Sequence, residues 1–78
     1  MIKDFVKMSP VSEFCIKRGI PHLMRDAFNA YVHGTIADRL LMKDTDTLTL
    51  LISRLSQERI GEIWIEFIQD VRKILPSQ

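Results

Sequence analysis

Apolar residues recur at spacings of three and four along most of this chain, a pattern that predicts helices. The clearest run lies near the carboxyl end, where Ser56 suits the N-cap position and Pro76 ends the pattern. Its apolar positions are Ile60, Ile63, Trp64, Phe67, Ile68, Val71, Ile74 and Leu75. Because they share one face of a helix, we expect a long amphipathic helix packed against the rest of the chain.

An earlier helix is predicted from about residue 10 to residue 18. Ser9 suits its N-cap, and Pro10 suits the first helical position because the N–H that proline lacks has no partner there. Gly19 is expected to end this helix in the left-handed conformation, and Pro21 cannot continue it.

Pro21 opens a further helix that is predicted to end near His33, because Gly34 breaks the phase of the apolar residues. The apolar positions cover about 200° of the helical wheel, which predicts a central helix with neighbours on most sides. These positions are Leu23, Met24, Ala27, Phe28, Ala30, Tyr31 and Val32. A new short helix is expected from Thr35, which suits its N-cap.

Residues 47–52 fit two patterns. Alternation and β-branched residues are typical of a strand, but no second strand-like segment is evident, and an isolated strand is not stable. Leu48, Leu51 and Ile52 also share a helical face with Leu55, so the segment is predicted as a helix. Asp44 or Asp46 is available as its cap.

These patterns predict one all-α domain over residues 1–78, a small compact bundle of four to five short helices. The chain is too short for a second core. The aromatic residues expected at its centre are Phe14, Phe28, Trp64 and Phe67. Ile2, Phe5 and Val6 are expected to form a helical turn or a docking arm.

Composition and charge narrow the classes of function. The net charge is +1, which creates no overall field that favours nucleic acid. Residues 1–43 carry seven Lys and Arg against four Asp and Glu, whereas residues 44–78 carry four against six. The chain has a single cysteine, which excludes an intramolecular disulfide and a cysteine-rich zinc module. We expect no cofactor. With neither a membrane span nor a signal peptide in the pattern, we expect a cytoplasmic protein without membrane contacts.

Catalysis is not expected from this sequence. Cys15 is the one candidate nucleophile, and no glycine elbow, oxyanion nest or phosphate-binding loop accompanies it. A lone cysteine on an apolar stripe is typical of a core residue. His22 and His33 lie about 16 Å apart along their helix, too far to bind one metal ion together. We therefore expect no metal and no small-molecule substrate.

The corner at residues 19–21 has two interpretations. The segment resembles a helix-turn-helix motif, whose buried positions and turn correspond to Phe14, Cys15, Gly19, Ile20 and Phe28. In that interpretation the residues that contact DNA are Lys17, Arg18, His22, Arg25, Asn29 and His33. Arg18 and Arg25, however, stand where the motif usually has apolar residues, and few basic side chains are present for phosphates. These features favour an ordinary corner between two core helices.

The outer side of the last helix carries an acidic ridge, which consists of Glu58, Glu62, Glu66 and Asp70. Ile65 lies beside it and outside the apolar stripe, near Gly61, where another backbone is able to approach closely. The ridge is either a solvated face or a partner surface. Our leading hypothesis is a non-enzymatic interaction module that binds a protein partner or itself through this surface, and the alternative is a DNA-binding regulator.

Overall fold

The computed structural model describes residues 9–75, in which the chain forms four α-helices. They are α1 (Pro10–Lys17), α2 (His22–Leu40), α3 (Thr45–Ile52) and α4 (Gln57–Ile74). The all-α prediction is confirmed, four helices agree with the predicted number, and residues 47–52 are helical. The predicted turn or arm at Ile2, Phe5 and Val6 lies outside the described residues. None of the helices within residues 9–75 combines the length and the apolar character that crossing a membrane requires.

α1 begins and ends as its sequence predicts. The Ser9 hydroxyl accepts a hydrogen bond from a backbone amide in the first turn. Gly19 has a φ of 68°, and the amides of Gly19 and Ile20 donate to the carbonyls of Ile16 and Cys15. This pair of bonds is the Schellman motif, which satisfies carbonyl groups that the end of a helix leaves without partners.

α2 is one continuous helix, so the predicted end at His33 and the predicted new helix from Thr35 are wrong. Gly34 is exposed, and a Cβ added to it would meet nothing within 4 Å. A glycine inside a helix costs only about 1 kcal/mol. Since residues on both sides of Gly34 pack against the core, that cost is too small to break the helix.

α2 ends in a second Schellman motif, but a leucine occupies its left-handed position. Leu41 has a φ of 53°. The amides of Leu41 and Met42 donate to the carbonyls of Asp38 and Ala37. A left-handed conformation costs a residue with a Cβ about 1–2 kcal/mol, so glycine would satisfy this position with less strain.

The caps of α3 and α4 lie where the sequence places them. Asp44 precedes α3, and its carboxylate accepts a hydrogen bond from the Thr47 hydroxyl. That bond lowers the pKa of the Asp44 carboxyl. The Ser56 hydroxyl accepts a hydrogen bond of 3.1 Å from the Arg59 amide at the start of α4. At the end of α4, the structure leaves Ile74 and Leu75 exposed, although the sequence predicts both on the apolar stripe.

All four helices contribute to one core, and its centre is Phe28. The Phe28 ring is fully buried, and its centroid lies 5.0 Å from that of Trp64 and 5.5 Å from that of Phe67. Phe14 packs on the same ring at 5.9 Å. Trp64, which the sequence predicts at the centre, is only partly buried and packs at the edge of this cluster. The predicted aromatic cluster is therefore present, with Trp64 on its rim.

α2 is not surrounded as the sequence predicts. Phe28 and Val32 are its buried residues, whereas Leu23, Ala27 and Ala30 are exposed. α1 and α3 have eight residues each, against 19 in α2. These two helices and the 18-residue α4 pack on the side of α2 that carries Phe28 and Val32 and leave the opposite side exposed.

Candidate interaction surfaces

Four of the six residues predicted to contact a partner lie around one groove on the outer side of α4. They are Glu58, Gly61, Glu62 and Ile65, and the groove has a volume of about 510 Å³. Arg18, Gln57 and Trp64 complete its lining. We call this surface the α4 groove.

Arg18, which directly follows α1, is the one residue from outside α4 that residues 9–75 contribute to the lining of the α4 groove, and α1 itself packs against α4. The side-chain amide of Gln57 donates a hydrogen bond of 3.0 Å to the Pro10 carbonyl. A Cβ on Gly61 would lie 3.7 Å from the Phe14 ring, an ordinary contact distance. Phe14 of α1 therefore packs close to Gly61. Part of the space beside Gly61 that the sequence pattern assigns to a partner is occupied by α1 of the same chain.

The charges around the α4 groove are mixed. The Arg59 guanidinium lies 2.8 Å from the Glu62 carboxylate. The Arg18 guanidinium lies 4.5 Å from the centre of the Phe14 ring, a cation–π distance. Glu58 forms no ion pair with any residue from 9 to 75. The groove thus presents one unpaired carboxylate beside an apolar surface.

Glu66 and Asp70, the other two residues of the predicted ridge, contact α2 and do not line the α4 groove. The Arg39 guanidinium donates to both carboxylate oxygens of Glu66, at 2.9 and 3.1 Å. The Tyr31 hydroxyl donates a 2.6 Å hydrogen bond to Asp70, and this bond raises the pKa of Tyr31. The two carboxylates therefore hold α2 against α4. Their partners lie 27 and 39 residues away in sequence, so no local pattern predicts them.

A second groove lies between α1 and α2, with a volume of about 500 Å³. It brings together four of the six residues predicted to contact DNA, which are His22, Arg25, Asn29 and His33. The other two lie elsewhere. Lys17 pairs with Glu13 at 2.9 Å, and Arg18 lines the α4 groove. The polar residues of the corner therefore do not form one continuous basic surface.

Arg25 has a structural partner within the corner. Its Nε donates a hydrogen bond of 2.8 Å to the Ile20 carbonyl, and its side chain is partly buried. This bond explains why a basic residue occupies a position that is usually apolar in a helix-turn-helix motif. The Nδ1 of His33 lies 2.9 Å from the Asn29 carbonyl. His22 and Asn29 remain exposed in this groove, together with the acidic Asp26 and the hydroxyls of Ser9 and Ser12.

Cys15 lies in the core, as its position on an apolar stripe predicts. It is fully buried. Burial raises the pKa of its thiol, and the positive charge of Arg25 lowers that pKa by a smaller amount. Within the part of the chain that the structure describes, no group of three His, Cys, Asp or Glu residues is placed to hold a metal ion. Comparison with family models, curated proteins and solved structures finds no match to this chain.

Proposed function

We propose that this chain is a small helical bundle without catalytic activity that binds another protein through the α4 groove. One observation carries the proposal. Ile65 is 58% exposed and lies in a groove with the partly buried Trp64, while Glu58 and Glu62 line the same groove. An apolar centre with a polar rim is the usual anatomy of a protein interface, and tryptophan is enriched among the residues that contribute most to binding.

The chemistry of the groove indicates which kind of partner would fit it. Ile65 and Trp64 would contact one apolar side chain of the bound segment. Glu58, which has no ion pair within residues 9–75, would face a lysine or arginine of the same segment. Charges at the rim of an interface contribute more to orientation and association rate than to affinity. The expected partner is therefore a segment with an apolar anchor next to basic residues.

The substitution Ile65→Glu tests this proposal. Ile65 is outside the core, so the variant is expected to keep the helical circular dichroism signal and melting temperature of the wild type. It is expected to weaken binding of the partner at least tenfold, because it places a carboxylate in the apolar centre of the groove. The measurement is capture from extract, followed by calorimetry with the purified partner.

Leu50→Glu is the matched control, because Leu50 is also an exposed apolar residue but lies on α3. The control is expected to bind like the wild type. Equal capture by the wild type and Ile65→Glu would mean that the α4 groove is only a solvated face. Unfolding of Ile65→Glu would mean that Ile65 belongs to the core.

The DNA-binding alternative uses the groove between α1 and α2. Its support is the exposure of His22 and Asn29 on the first turns of α2. Lys17 and Arg25 are engaged in bonds within the chain, which leaves few basic side chains for phosphates. We expect a random duplex library to show no gel shift at low salt. A complex that weakens steeply as salt rises, and that Asn29→Ala alters, would replace the protein-binding proposal.

A further inference from the structure

The side of α2 that faces away from the core is apolar over its whole length. Its residues alternate in spacing between four and three, which is the spacing of a seam between two helices. They are Leu23, Ala27, Ala30, Gly34, Ala37 and Leu41. With about 100° per residue, the five that lie within α2 occupy an arc of about 80° that contains no charged residue, and Leu41 follows directly at the end of the helix. We call these six residues the α2 face.

The other described residues leave the α2 face largely uncovered. Leu23 is 85% exposed and Leu41 is 91% exposed, the highest values among the large apolar residues from 9 to 75. Ala27, Ala30 and Gly34 between them are exposed as well, and Ala37 is partly buried. A contiguous apolar patch on a folded chain typically marks an interaction site.

The α2 face is symmetric about position 32. Leu23 and Leu41 lie equally far from it on either side, as do Ala27 and Ala37. Ala30 and Gly34 form the innermost pair. In a twofold dimer, the same surface of each copy contacts the other copy. When two α2 helices run antiparallel, each residue of the α2 face lies opposite its counterpart across position 32. Small residues then meet at the centre, where the two backbones approach closely, and leucines meet at both ends.

Leu41 provides an independent observation that favours a second molecule. Its backbone holds the left-handed conformation, with a φ of 53°, although glycine would relieve the strain. The leucine side chain is almost fully exposed, so it gains little burial within one copy of the chain. A strained backbone conformation that no contact within the same copy compensates indicates that the residue has a function.

We propose that two copies of this chain associate through their α2 faces, antiparallel, with Leu23 of each copy against Leu41 of the other. The contact runs for about 27 Å along α2, at a rise of about 1.5 Å per residue. One helix pair of this length buries on the order of 1,000 Å², at the low end for specific interfaces. A contact of this size predicts a reversible dimer whose population rises with protein concentration. This surface is separate from the α4 groove, so the two proposals stand or fall independently.

Sedimentation of the full chain over a range of concentrations tests the proposal. The wild type is expected to pass from monomer to dimer. Ala30→Glu is expected to stay monomeric with unchanged helical content, because it places two carboxylates near the twofold axis. Asn29→Glu is the matched control, since it adds the same charge at the neighbouring position, on the side of the groove between α1 and α2. The control is expected to dimerise like the wild type.

Leu41→Gly separates loss of the interface from loss of the fold. It relieves the left-handed strain and removes the leucine, so we expect a higher melting temperature together with dimerisation weakened at least tenfold. An unchanged dimer in Leu41→Gly or Ala30→Glu would overturn the proposal.

Disulfide formation tests the antiparallel register. An equimolar mixture of Ala30→Cys and Gly34→Cys, oxidised with diamide, is expected to link the two different variants, while the native Cys15 is buried and stays reduced. Links that form mainly between identical variants would indicate a parallel pair and overturn the register.

A wild type that stays monomeric at every concentration also overturns the proposal. The variant Leu23→Cys then identifies what occupies the α2 face. A thiol that is protected in the monomer would show that the chain covers its own face, for example with residues 1–8. A thiol that reacts freely would leave the face to a different protein.

Discussion

Phe28→Ala is expected to destabilise the fold by about 3–5 kcal/mol, the range for truncating a fully buried aromatic residue. The Phe28 ring has no exposed surface, and the rings of Phe14, Trp64 and Phe67 all pack on it. Alanine would leave a cavity between α1, α2 and α4, the three helices that carry those four rings. Small domains have a total stability of only about 5–15 kcal/mol, so this one change removes a large part of it.

Urea denaturation followed by circular dichroism measures this effect, at a protein concentration that is too low for association. Phe28→Leu is the control, since it keeps most of the volume and is expected to cost about 1.5 kcal/mol or less. A loss below that value for Phe28→Ala would contradict the placement of Phe28 at the centre of the core.

Trp64→Ala is expected to destabilise the fold by about 2–3 kcal/mol, less than the usual loss for a buried aromatic residue. One side of the Trp64 ring packs edge-on against Phe28, with centroids 5.0 Å apart, and another lines the α4 groove. Because part of the ring is already in contact with water, its removal costs less apolar burial.

Calorimetry of Trp64→Ala and Phe28→Ala under the same conditions tests which ring is central. Trp64→Phe is the control, and it should recover most of the lost stability while keeping an aromatic edge against Phe28. Equal losses for the two alanine variants would show that Trp64 is as central as the sequence alone predicts. Trp64 is the single tryptophan of the chain, so quenching of its emission by iodide reports its exposure directly.

The α4 groove combines features that are visible in the sequence with one that is not. The exposure of Ile65 and the acidic character of Glu58 follow from the periodicity of one helix. The contribution of Arg18 does not, because it depends on how α1 crosses α4. The same crossing removes Arg18 from the DNA-contacting set that the sequence suggests. The structure thus changes the membership of both predicted sites.

Most helix boundaries follow from the local sequence, because the signals that start and stop a helix act within a few residues. Ser9 and Ser56 accept the hydrogen bonds expected of N-caps. Gly19 adopts the left-handed conformation expected of a helix end. Gly34 was misleading, because a single glycine weakens a helix by less than its packing on both sides stabilises it.

Which apolar surfaces are covered and which charges meet depends on how the helices pack. Leu23 and Phe28 are both apolar and both belong to the predicted apolar face of α2. The pattern does not show that α2 has neighbours only on the side that carries Phe28. The Arg39–Glu66 ion pair and the Tyr31–Asp70 hydrogen bond likewise depend on the crossing of α2 and α4. Local signals act along the chain, whereas burial and long-range pairing depend on the number, length and crossing of the helices that the chain supplies.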